Sequence, residues 1–106
     1  MSERVKLIIF VPVGHAYTVW EAMGNARVGK IGNYSFCSFS SLGMGRFLSG
    51  DGAHSTIGGS GVLEAVEEER VETACDKNML KGIIAAIKAV HPYEKVARNI
   101  YPLLSE

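Results

Sequence analysis

Residues 32–45 read GNYSFCSFSSLGMG, and no position in that run carries a charge. Strand side chains alternate between faces, so in an extended segment Tyr34 and Phe36 fall on one side, Cys37 and Phe39 on the other. A half-solvated strand of an isolated two-layer domain shows a polar face. Taken as a strand over residues 30–41, this segment shows none. Both of its sides are therefore expected to be covered, one of them by a second copy of the chain. Gly43 and Gly45 are expected to turn the chain into a short return strand at residues 46–48.

A chain of 106 residues has the size of one domain, here residues 1–106. Such a domain buries roughly two-thirds of its unfolded surface. Eleven basic and eleven acidic residues cancel. No global field recruits nucleic acid or an anionic membrane, and neither is an expected partner. No apolar run approaches the roughly 20 residues of a membrane-spanning helix. The opening MSERVKLIIFVPVG has too short an apolar stretch for a signal peptide. Cys37 and Cys75 stand in no CxxC spacing and read as reduced core thiols of a cytoplasmic protein.

Residues 5–11 (VKLIIFV) are apolar on both alternations, which predicts a central strand covered on two sides. In residues 15–26, Ala16, Val19, Trp20 and Met23 fall on one helical stripe, with Gly24 weakening the last turn and Gly29 beyond it. Seven of the twelve glycines lie between Gly43 and Gly61, and residues 50–61 read as a long loop. Residues 62–75 (VLEAVEEERVETAC) are ambiguous. Glu, Ala and Leu favour helix, and a strand would need a bulge at the glutamates. Asp76 is expected to cap a helix over residues 77–90, whose stripe is Leu80, Ile83, Ile84, Ile87 and Val90, with Gly82 allowing close packing. Pro92 stops that helix, and residues 96–103 read as a last strand.

If residues 62–75 form a strand, the order is that of an α+β, ferredoxin-like split βαβ sandwich. Its antiparallel sheet has two helices on one face and an extra hairpin. The other face would then be bare and apolar, which predicts a closed homo-oligomer.

Three stretches in order, IGNYSFCSFSSLGMGRF, IGGSGVLEAVEEERVET and AAIKAVHPYEKVARNIYPL, resemble the inserted domain of the Nif-three-like dinuclear-metal-centre hexameric proteins. The matching positions include Gly32, Asn33, Tyr34, Cys37, Ser38, Phe39, Gly43 and Gly45, and the HPYE element His91, Pro92, Tyr93 and Glu94. The HPYE element and the sheet pattern are also similar to CutA proteins, trimers of the PII-like ferredoxin fold. The resemblance implies a strand at residues 62–75 and a trimer. In the family the two metals are held by a larger flanking domain, so the family's hydrolase-like centre does not transfer to these residues, and the chain looks like a stand-alone version of the insert. Lys30 before IGNY, Phe36, His54-Ser55-Thr56 and the ending HPYEKV depart from the family's usual forms.

Two candidate sites follow. His91 and Glu94, with His15, form a candidate divalent-metal set for copper or zinc. The alternative is that His91 and Glu94 only tie the helix terminus to the next strand. Lys30, Ser40, Ser41, Arg46 and Tyr93 form a candidate set for a small ligand at a cleft between copies, near the glycine-rich loop. Glu64, Glu67, Glu68, Glu69 and Glu72 read as a solvated strand face. The expected function is an oligomeric regulatory or binding module for a small ligand or a partner protein. The alternatives are a metal-binding trimer and an accessory subunit of a separately encoded metal-dependent hydrolase.

Overall fold

The computed structural model describes residues 3–50, 59 and 61–104. His54 and most of the glycine-rich loop lie outside the described residues. Four strands form one antiparallel sheet: β1 (Arg4–Pro12), β2 (Phe39–Leu48), β3 (Leu63–Asp76) and β4 (Arg98–Pro102), in the order β2-β3-β1-β4. Helix α1 (Ala16–Asn25) connects β1 to β2, and α2 (Leu80–Val90) connects β3 to β4. This is the ferredoxin-like arrangement, and the sequence order predicts it.

The core lies between the sheet and the helices. Val5, Leu7, Ile9 and Val11 of β1 meet Val19 and Met23 of α1 and Ile83 and Ile87 of α2. All eight are buried, and complete burial of such a side chain is worth about 1.5–3 kcal/mol. The stripe of α2 is as its spacing predicts, with Leu80, Ile84 and Val90 half-buried at its margins.

Residues 62–75 form a strand, against their helical propensity. Paired with β1 on one side and β2 on the other, β3 satisfies its backbone through both neighbours. Tertiary pairing outweighs propensities of a few tenths of a kcal/mol per residue. No bulge interrupts the registers.

Residues 30–38 are not a strand. Helix α1 ends with Arg27 in the left-handed conformation (φ 70°). The Val28 amide bonds to Met23 O and the Arg27 amide to Gly24 O, the paired bonds of a Schellman stop. Gly29 (φ 76°) then donates to Ala74 O of β3 and accepts from the Cys37 amide. Ile31 and Tyr34 exchange both backbone bonds around Gly32 (φ 56°) and Asn33. The GNY element is thus the tip of a two-residue hairpin, which needs glycine at its first corner. Tyr34 is exposed, Phe36 and Cys37 are half-buried, and the expected apolar strand faces do not form.

The extra hairpin accordingly sits at residues 31–34, not at residues 43–48. Gly43 and Gly45 do not turn the chain, because β2 runs straight through them to Leu48. Two helix details also differ from expectation. A 3-10 turn (Lys77–Met79) precedes α2, and Asp76 pairs with Arg4 at 3.1 Å instead of capping. A Cβ on Gly82 would meet nothing within 4 Å, so that glycine serves no close packing.

The sheet face away from the helices is not the apolar surface expected. Ile8 is buried there, but around it Lys6 pairs with Glu72 at 2.6 Å and Arg70 with Glu72 at 3.5 Å. The Arg70 guanidinium also lies 5.9 Å from the Phe10 ring centroid. Phe39, opposite Glu72, and Tyr101, opposite Lys6, are exposed on that same face, and further exposed apolar side chains lie on the ribbon. β1 pairs only with residues 68–76 of β3, so residues 63–67 of β3 and their β2 partners form a two-stranded ribbon beyond the body. The molecule is correspondingly elongated, 46 × 24 × 22 Å.

Candidate functional site

The HPYE element fills the corner where β1 ends and the ribbon continues. Pro92 leaves α2 no helical continuation, and the chain turns at His91 (ψ 135°). The buried His91 ring uses both nitrogens: Nε2 lies 2.8 Å from Phe10 O, and Nδ1 accepts the Tyr93 amide at 3.1 Å. The accepting Nδ1 makes Nε2 the protonated nitrogen of a neutral ring. Burial holds this histidine below its ordinary pKa; the bond to Phe10 O and the Glu68 charge oppose that, and His15 adds to it.

Tyr93 reaches onward to the ribbon. Its hydroxyl donates to Glu68 Oε2 at 2.7 Å, and its ring meets Phe47 edge-on, centroids 6.1 Å apart. Burial first, then the bond to Glu68 and its charge, push the Tyr93 phenol far above its ordinary range. A Cβ on Gly45 would overlap the Glu68 carboxylate. Gly45 is therefore the gap in which that carboxylate lies, and this is its part in the pattern. Glu68 belongs to a structural bond and not to a uniformly solvated face.

The candidate metal set is not assembled in the chain. Both His91 nitrogens are committed, Glu94 and His15 are exposed, and no group of three potential ligands occurs among the described residues. The candidate ligand set is dispersed as well. Ser40 and Arg46 lie on the helix side of β2, opposite Val71 and Ala65, while Ser41 lies on the other side, opposite Arg70. Six residues of strand separate Ser40 from Arg46 by roughly 20 Å. Lys30 is exposed in the loop after α1, and Tyr93 is engaged by Glu68.

Two features were not singled out from the sequence. One is a notch on α1, where the Phe36 ring rests on Gly24 beside Trp20. The only signal for it was a glycine inside an amphipathic helix, a pattern that often marks close packing. The other is a group of exposed apolar side chains on one side of β2, which Arg46 and the β3 residues Glu67 and Glu69 share. Leu42, Met44 and Leu48 share one face of β2, with Leu63 opposite Leu48. Leu48 is 57% exposed and Leu63 79%. Of the two thiols, Cys75 is buried in β3 and raised in pKa by that burial, whereas Cys37 is half-buried in a loop instead of a strand core.

Among the described residues no helix is long and apolar enough to cross a membrane. No family model matches the chain. A curated relative from Halalkalibacterium halodurans, described as a GTP cyclohydrolase 1 type 2 homolog, is 45% identical over 101 residues, 95% of this chain and 27% of the relative. The solved structure of a Bacillus cereus protein related to NIF3 superposes with a TM-score of 0.84 at 45% identity, covering 96% of this chain and 26% of that one. The CutA protein of Archaeoglobus fulgidus, described as a periplasmic divalent cation tolerance protein, superposes with a TM-score of 0.71 at 13% identity, over 97% of this chain and 86% of that one, which shows a shared fold. The chain spans about a quarter of the length of the NIF3-related proteins it matches, and it is similar in sequence and fold to that part of them, a fold shared with CutA.

Proposed function

We propose that this chain is a self-assembling binding module: a closed homo-oligomer, a trimer, that takes a small ligand or a partner protein at clefts between its copies. The observation that carries this reading is the β2–β3 ribbon. It projects past the body with Met44, Leu48 and Leu63 exposed on one side, Arg46 standing between Met44 and Leu48. Exposed large apolar side chains on a projecting element, rimmed by the charged Arg46 and Glu67, mark an interaction site. A second copy is the simplest cover for it, and closed symmetry lets every copy use the same surface. Lys30, Ser40, Ser41, Arg46 and Tyr93, dispersed within one chain, are the residues this reading assigns to such clefts. Native mass spectrometry of freshly purified protein tests it, reporting subunit number and any retained small molecule together. A monomer at micromolar concentration overturns it.

A second reading rests on the relatives. A 45% identical segment makes up 27% of a protein described as a GTP cyclohydrolase homolog. In this reading the chain serves as the accessory part of a metal-dependent hydrolase whose catalytic residues lie elsewhere. Affinity purification from the native host tests it, and recovery of the chain without a hydrolase domain counts against it.

A further inference from the structure

The β2–β3 ribbon leaves the body at Glu68, the last residue of β3 paired with β1. Beyond that point β2 and β3 pair only with each other, and a two-stranded hairpin is marginally stable in water. The ribbon is gripped, however, from one side. Glu68 stands opposite Gly43 in the register, yet its carboxylate lies over Gly45, the diagonal neighbour two residues farther along the ribbon. The Tyr93 hydroxyl bonds to it there at 2.7 Å, and the Tyr93 ring meets Phe47, two residues farther still on the same face. The grip is continuous with the body. The Tyr93 amide donates to His91 Nδ1 at 3.1 Å, the two rings lie 5.1 Å apart, and His91 Nε2 donates to Phe10 O of β1 at 2.8 Å. Strand side chains alternate, so Gly45 and Phe47 lie on the opposite side of β2 from Met44 and Leu48. The grip takes one side of the ribbon and leaves Met44, Leu48 and Leu63 exposed on the other.

We propose that His91, Tyr93 and Glu68 form a latch that fixes the angle of the ribbon to the body, and that this angle sets whether the chain self-assembles. The proposal rests on the self-assembly reading above. A closed ring of copies forms only if every copy presents its surface at one angle. A ribbon free to swing presents many angles, and ordering it on association weakens binding. The three residues position the surface and do not themselves belong to it.

The latch can be opened in two independent ways. Tyr93→Phe removes the hydroxyl and keeps the ring. Gly45→Ala puts a methyl group where the Glu68 carboxylate lies. Gly43→Ala is the control: it adds the same methyl group to the same face of the same strand, where nothing lies within 4 Å. Sedimentation velocity over a dilution series gives the concentration at which half of the chains are assembled, and far-ultraviolet dichroism checks the fold of each variant. Tyr93→Phe and Gly45→Ala are each expected to raise that concentration at least tenfold, and Gly43→Ala to leave it within about twofold of wild type. The double variant Tyr93→Phe, Gly45→Ala should be no weaker than either alone, because both changes break one bond. Glu68→Leu takes the place of Gly45→Ala should that variant fail to fold. An assembled wild type whose midpoint is unmoved by either change overturns the latch and leaves the assembly reading standing. So does a Gly43→Ala variant as weak as Gly45→Ala, or a double variant in which the two effects add. A wild type that is monomeric at every concentration overturns the assembly reading and the latch with it.

Discussion

Tyr93 donates its phenolic hydrogen to Oε2 of Glu68 at 2.7 Å, joining the loop after α2 to the root of the β2–β3 ribbon. Three positions far apart in the chain make that bond. Pro92 ends the helix so that Tyr93 can turn outward, Glu68 supplies the acceptor, and Gly45 on the neighbouring strand leaves space for the carboxylate. The ribbon's orientation thus depends on a motif some 25 residues beyond Glu68.

Tyr93→Phe removes this bond and keeps the ring against Phe47. Hydrogen bonds to charged groups contribute about 1.5–3 kcal/mol, and partial exposure brings the expected loss to about 1–2 kcal/mol. Urea denaturation measures it. Because burial and Glu68 both hold the phenol protonated, the same variant also removes the most alkaline step of the tyrosine titration at 295 nm.

His91 gives stability a dependence on pH with a defined sign. Burial lowers its folded pKa below the ordinary value of 6.5. Between the folded value and 6.5 the unfolded chain binds the extra proton, so stability rises with pH through that window. The contribution is complete above 6.5 and is lost on acidification toward the folded value, at no more than about 1.4 kcal/mol per pH unit for one proton. His91→Gln keeps a donor for Phe10 O and does not titrate. Denaturation curves from pH 7.5 to 5 are expected to show a shallower loss in the variant than in the wild type.

Two helical glycines are expected to respond oppositely to the same substitution. Gly82→Ala adds a methyl group in open space on α2 and gains about 0.5–1 kcal/mol from helix propensity. Gly24→Ala gains the same propensity but drives a Cβ into the Phe36 ring, where overpacking costs about 1–3 kcal/mol. The second effect is the larger, so the net change is a loss. Thermal melts should shift upward for Gly82→Ala and downward for Gly24→Ala.

Leu48 and Leu63 face each other across the ribbon. The double variant Leu48→Glu, Leu63→Lys replaces an apolar pair by an opposite-charge pair that strands tolerate. The ribbon should persist while its apolar surface is broken. Light scattering is expected to give a lower mass than wild type, with an unchanged far-ultraviolet dichroism spectrum.

The strand β1 and both helices were legible because their apolar positions repeat with the period of the element they form. Leu7, Ile9 and Val11, or Ile83 and Ile87, need no distant information to be recognised as core. The ferredoxin-like order followed once residues 62–75 were taken as a strand, and here local propensity pointed the wrong way. What makes them a strand is β1 on one side and β2 on the other. For the candidate site, His91 and Tyr93 were visible as an unusual pair of side chains after a helix stop. Their partners Phe10 O and Glu68 were not, since each bond spans a long stretch of chain.

The run at residues 32–45 shows the same division most plainly. Its lack of charge was read as a strand needing cover on both faces. In the fold its first half is a loop, bent by positive φ at Gly32 and Phe36, and its second half is the edge strand of the ribbon. By itself the sequence determined the apolar periods of β1 and the helices and the helix stop at Pro92. Only the tertiary structure decided which glycines turn and which run straight, because that depends on what lies over each: a tight hairpin at Gly32, the Phe36 ring on Gly24, the Glu68 carboxylate on Gly45, and nothing on Gly82. A glycine's conformational freedom is local, but the use made of it is set by contacts with residues distant in the chain.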